Sequence, residues 1–140
     1  MTTAVQPDLI EFAIGLLTDA NSDALAGAAF RGGAMEPDDD PRLNLVVVLE
    51  EAGWIRERGI GLYSPFRLGV TTFGVDERTA SAGYRAVTDV FHRAGPVVRD
   101  GVGLYRAYDE TGPSPVADPA TRWSGRFGVV AMYCADEVLA

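Results

Sequence analysis

The chain has 140 residues, 47% of them hydrophobic and 23% charged, with 20 carboxylates against 12 cationic side chains, all arginine, and one cysteine. That size predicts one globular domain able to bury about two-thirds of its unfolded-chain surface without a staple. The single Cys134 excludes an internal disulfide and a multi-cysteine zinc site. No apolar run approaches the roughly 20 residues of a bilayer span, and residues 1–5 lack the basic start of a signal peptide, so an intracellular, non-membrane protein is expected. The net charge of -8 repels phosphate and argues against nucleic acid as an attractive partner.

A helix is predicted from Pro7, with Asp8 and Glu11 placed against its dipole. Leu9, Ile10, Phe12, Ala13, Ile14, Leu16 and Leu17 leave only a narrow polar stripe, so this helix needs cover on more than one side. Residues 31–41, rich in Gly, Pro and Asp, read as a loop. Residues 43–49 (LNLVVVL) read as a strand buried on both faces. Residues 50–65, where Trp54-Ile55 and Leu62-Tyr63 flank a charged glycine-rich tip, are expected to form a β-hairpin arm. Residues 66–73 alternate as a second strand.

Asp76 is the expected N-cap of a second helix over residues 77–94, with Ala80, Tyr84, Val87, Phe91 and Ala94 on one face. Arg85, Asp89 and Arg93 follow at spacings of four, within pairing reach, and Gly95-Pro96 stops the helix. Two strands are predicted over residues 102–108 and 122–134, separated by a loop, 109–119, too rich in Pro for a sheet. The last strand is apolar on both faces: Phe127, Val129, Ala131 and Tyr133 on one, Val130, Met132 and Cys134 on the other. The order α-β-β-α-β-β predicts a single-domain α+β fold over residues 1–140, an antiparallel or mixed central sheet packed by two main helices.

Residues that carry chemistry are scarce. His92 is the one imidazole, and no nucleophile motif accompanies it, so it reads as a helix-end residue favoured by the dipole. Asp38, Asp39 and Asp40, with Glu36, form the densest carboxylate cluster, but the calcium-loop spacing is missing; a solvated acidic loop is the reading, with a weak divalent site as the lesser one. The glycines near 59–61 and 101–103 lack the continuation of a phosphate loop and read as turn or bulge positions. Cys134 reads as a small buried hydrophobe. Trp54 and Trp123 sit in polar surroundings, where a tryptophan serves either an interface or the end of a core. No cofactor is called for.

The whole arrangement resembles the tail terminator (tail-completion) proteins of long-tailed bacteriophages. The likeness lies in the apolar first helix, the strand at Pro41 to Val48, the strand-to-helix passage Phe73-Gly74-Val75-Asp76-Glu77-Arg78-Thr79-Ala80, and the closing pair of strands from Tyr105 to Tyr133 around a long loop. The resemblance implies a virion structural protein without catalytic residues, assembled in the host cytoplasm. It implies a hexameric ring that caps the tail tube, ends its polymerisation, meets a head-side connector and lets DNA pass without binding it. An acidic channel would suit that passage, since it repels the duplex; Asp38, Asp39 and Asp40 are the channel-lining candidates. Trp54, Ile55, Tyr63, Trp123 and Met132 are the candidates for contacts between protomers or with partners. Two other readings compete: a head-side neck or head-closure protein, and, more remotely, a small metal-dependent or ligand-binding α+β domain using residues 36–40.

Overall fold

The first helix begins where the chain supplies a cap. In the computed structural model, which describes residues 8–54, 64–117 and 123–135, the Asp8 carboxylate accepts the backbone N–H groups of Ile10 and Glu11, each at 3.0 Å. These are orphan donors at a helix start. Helix α1 is Leu9–Asp19, followed by a 3-10 turn, Asp23–Leu25. Then come β1 (Ala29–Gly32), β2 (Val46–Trp54), β3 (Ser64–Phe73), α2 (Glu77–Ala94), β4 (Val97–Arg99), β5 (Val102–Ala117) and β6 (Ser124–Ala135). The second helix has the predicted bounds, and Asp76 caps it by accepting the Thr79 N–H at 2.7 Å. On its outer face Asp89 pairs with Arg93 at 3.0 Å, while Arg85 reaches Ser81 instead of Asp89.

The strands form one six-stranded sheet in the order β1-β2-β3-β6-β5-β4. Among the described residues only β1 and β2 run parallel; the other pairs are antiparallel. The fold is therefore α+β with a mixed sheet, as expected, but with two strands more than the sequence suggested. Both extra strands are short edges of three or four residues set beside turn residues. Strand β4 is joined to β5 through Asp100-Gly101, with φ of 51° and 78°, the positive angles of a two-residue hairpin turn.

The expected loop at 109–119 is also corrected: β5 runs straight through it to Ala117. Only its first three residues pair with β4, so the remainder is a sheet edge, and register shifts at Leu104/Arg106, Asp109/Thr111 and Thr111/Ser114 interrupt its ladder with β6. A bulged edge strand is where Pro113 and Pro115 are tolerated. The strand expected over 43–49 starts later, at Val46, and continues to Trp54.

One sheet face carries the main core. Val47 and Leu49, Phe66, Leu68 and Val70, and Val130, Met132 and Cys134 pack there against Leu9, Phe12, Leu16, Tyr84, Val87 and Phe91 of the helices. Fully burying a side chain of this size contributes about 1.5–3 kcal/mol. The cover that α1 needs comes from several directions: its Ile10 methyl lies against Gly32 at one sheet edge, and Arg99 of β4, from the other edge, lies over Gly15. A helix meeting both edges of a curled sheet, with α2 beside it, has little surface left for water. Strand alternation turns Val46, Val48 and Phe73 to the opposite face, where they form a second, smaller cluster.

Candidate functional site

That opposite face, on which no helix packs among the described residues, is where they leave room for a partner. One end of it is walled by the segment after β1. Arg31 donates to Asp39 through Nε at 3.0 Å and Nη2 at 2.9 Å. The same carboxylate accepts the Glu36 backbone N–H at 2.7 Å. The Asp39 side chain is only 6% exposed, and the Arg31 guanidinium holds its carboxyl below the usual carboxylate range. A two-pronged, charge-assisted bond of this kind fixes orientation as well as position. The wall is thus preset by the chain itself.

Asp40 is engaged in the same way one residue on. It accepts from Arg42 through Nε at 3.1 Å and Nη2 at 3.0 Å, and also from the Arg42 backbone N–H at 3.0 Å. Those bonds lower its pKa and leave the Arg42 guanidinium 5.3 Å above the Trp123 ring, a cation–π distance. Trp123 packs in turn, with Met35, on Val46, Val48 and Phe73. Between this wall and the sheet lies a cleft of about 450 Å³, with Met35, Val48, Phe73 and Trp123 as apolar lining and Glu36 and Glu50 as exposed carboxylates.

At the far end of the face a second patch is aromatic. Tyr108 and Tyr133 stack with ring centroids 5.7 Å apart and hydroxyls at 3.2 Å, a hydrogen bond that raises the Tyr108 phenol. Arg106 lies 5.7 Å over the Tyr108 ring, and Tyr105 beside it is 54% exposed. Arg67 joins β3 to β5 across the same face through Glu110 at 2.8 Å.

The residues singled out from sequence do not converge. Asp39 and Asp40 spend their charge on Arg31 and Arg42, whereas Asp38 is exposed. Among the described residues, no group of three or more His, Cys, Asp or Glu is placed to hold a metal ion. Met132 is a correction: it is fully buried in the main core and offers nothing to a neighbour, because it shares its strand parity with Val130 and Cys134 under the helices. Trp123 lies half-buried, covering the end of the second cluster while lining the cleft. Ile55 and Tyr63, with the tip of the expected arm, lie outside the described residues; of Trp54 only the backbone is described, paired with Phe66.

His92 sits in the last turn of α2, bonded to Asp109 on β5 at 3.1 Å, a helix-to-strand tie. Cys134 is buried, as expected. What sequence reading missed are Arg31, Met35 and the Tyr108–Tyr133 pair. Arg31 and Asp39 are eight residues apart within an apparent loop, and no helical or strand period links them. Tyr108 and Tyr133 meet only through the β5–β6 register, which also pairs Arg106 with Tyr133.

No protein-family model matches the chain, and no curated protein sequence matches it. Solved structures do. A chain in the structure of the virion of a native gene transfer agent (GTA) particle superposes with a TM-score of 0.63. The match covers 96% of this chain and 99% of that one, at 19% sequence identity. The two share a fold from end to end.

Proposed function

We propose that this chain is a structural protein of a phage-like virion, working as a ring-forming tail terminator that caps the tail tube, ends its polymerisation and meets the head-side connector. The observation that carries the reading is the end-to-end fold match to a chain of a gene transfer agent virion. The reading is further supported by a site with surfaces for partners and no assembled chemistry among the described residues: a preset cleft at one end of the open face and a tyrosine–arginine patch at the other. Aromatic residues and arginine are the types that carry binding energy at protein interfaces. Two unlike surfaces on one copy suit a head-to-tail contact, the kind that closes into rings.

In such a ring each copy brings a net charge of -8. A channel bordered by this charge repels the DNA backbone and lets the duplex slide. Asp38, exposed, is the member of the acidic run that offers its charge there, and Trp123 is a contact candidate at the cleft. The deciding experiment is addition of the purified protein to growing tail tubes, followed by electron microscopy. Tubes that stop lengthening and carry a ring at one end fit the proposal. Binding to DNA-filled heads with no effect on tubes would move the protein to the head side of the neck.

A further inference from the structure

The two patches of the open face carry opposite charges that the chain itself leaves unmatched. In the cleft, the apolar Met35, Val48, Phe73 and Trp123 lie beside Glu36 and Glu50. Glu50 is exposed and has no cationic partner among the described residues, while Glu36 approaches Arg31 only at 3.6 Å. In the other patch Arg106 is exposed, stands over the Tyr108 ring and meets no carboxylate among the described residues. Tyr105 lines that patch next to it. The cleft wall is already held by the Arg31–Asp39 pair, so an occupant meets an ordered surface.

The curl of the sheet keeps these charges apart within one copy. Ile10 and Gly15 stand about 7.5 Å apart along α1, yet they touch Gly32 on β1 and Arg99 on β4, the two edge strands. In a flat sheet those edges would be about 24 Å apart, five strand spacings. The sheet therefore wraps around the helix, and the open face is its outer surface. Arg106 pairs with Tyr133, which pairs with Pro65, whereas Glu50, the strand carboxylate of the cleft, pairs with Gly69. Arg106 is thus offset from Glu50 by about 13 Å along the strands and by three strand spacings, about 14 Å, around the curl. Their side chains project outward in diverging directions, so each is left for another molecule.

We infer that the Arg106 patch of one copy docks in the cleft of the next, with the guanidinium on Glu50 and Glu36 and the Tyr105 ring on Met35 and Trp123. Charge and apolar character match on both sides, and both halves of the contact belong to this chain. Donor and acceptor are different patches that face away from each other, so the contact is heterologous: each copy keeps one of each until the chain of copies closes. The inference rests on the homo-oligomer part of the function proposed above, and it deepens that part by naming the surfaces that meet.

The test is sedimentation of the full chain over a range of concentrations, with charge reversals at the two exposed positions. The natural chain should self-associate, and less so at high salt. Glu50→Arg and Arg106→Glu should each lower association about tenfold or more, since each sets like charges together. Mixing the two variants in equal amounts should restore it: Arg106 of the first meets Glu50 of the second, and the introduced glutamate meets the introduced arginine. A chain carrying both reversals should associate as well. Recovery on mixing also shows that both variants are folded. A natural chain that stays a single copy at every concentration, reversals without effect, or a mixture no better than either variant overturns the docking. Tail tubes capped equally well by either single variant would keep the proposed function and sink the docking. Association that follows the charge swaps yet stops at two copies would keep the Arg106–Glu50 contact and count against the ring.

Discussion

Arg99 on β4 lays its guanidinium across Gly15 of α1 and donates to Asp19 on the same helix at 2.8 Å. The hydrogen bond to Asp19, with the neighbouring Asp100 charge adding to it, raises the Arg99 pKa, and the space that glycine leaves is the space the guanidinium fills. One side chain thereby fastens a sheet edge to the helix that crosses the sheet.

Gly15→Ala follows from that contact. In an exposed helix interior this change stabilises by about 1 kcal/mol, but here the new methyl meets Arg99, which has to move. The expected result is a near-neutral change in urea midpoint in the natural chain. In an Arg99→Ala background the same substitution should become stabilising. A gain of equal size in both backgrounds would show that the two residues are not coupled.

Tyr84 and Gly128 make a second linked pair. The Tyr84 hydroxyl is buried without a hydrogen-bond partner among the described residues, and burial, with the Asp109 charge adding to it, pushes the phenol up to about 12. It occupies the space above Gly128, where a Cβ would collide with it and come within 2.9 Å of the Thr111 carbonyl oxygen. Gly128→Ala should cost about 1–3 kcal/mol through overpacking. Tyr84→Phe should be neutral or stabilising, since it removes an unpaired polar group. Thermal unfolding of the double variant should then recover part of the Gly128→Ala loss.

Asp39 makes stability depend on acid. Its folded pKa is depressed by Arg31 below the ordinary 3.8, so the folded state binds its proton more weakly than the unfolded chain does. The contribution is complete above the unfolded value and is lost as pH falls through the folded one. Asp39→Asn should cost about 1–3 kcal/mol at pH 7, the worth of a charge-assisted bond. Thermal unfolding should show this gap narrowing below about pH 4; a gap that holds its size at pH 3 would contradict the pairing.

Met132 and Trp123 separate core from surface. Met132→Ala should destabilise the single copy by about 2–5 kcal/mol, as core truncations do. Trp123→Ala, at a half-buried cleft position, should lower assembly, read by sedimentation, more than it lowers the melting temperature of the single copy.

Much of this protein was legible in the chain. The apolar period of residues 77–94 and the Asp76 cap decide α2, because a helix reads its own neighbours three and four residues away. Two-sided apolar runs at residues 46–49 and 129–132 signal strands of a buried sheet, and the surplus of carboxylates sets the sign of the molecule's field. The tertiary structure decided what depends on register and on distant partners. Whether Met132 or Tyr133 faces the helices is one residue of register, a choice that leaves the sequence pattern unchanged. Strand β5 passes Pro113 and Pro115 because it lies at a bulged edge, a position only the sheet order defines. The acidic run looked like one feature, yet Arg31 and Arg42 divide it, since a carboxylate's role is set by which cation folding brings within 3 Å.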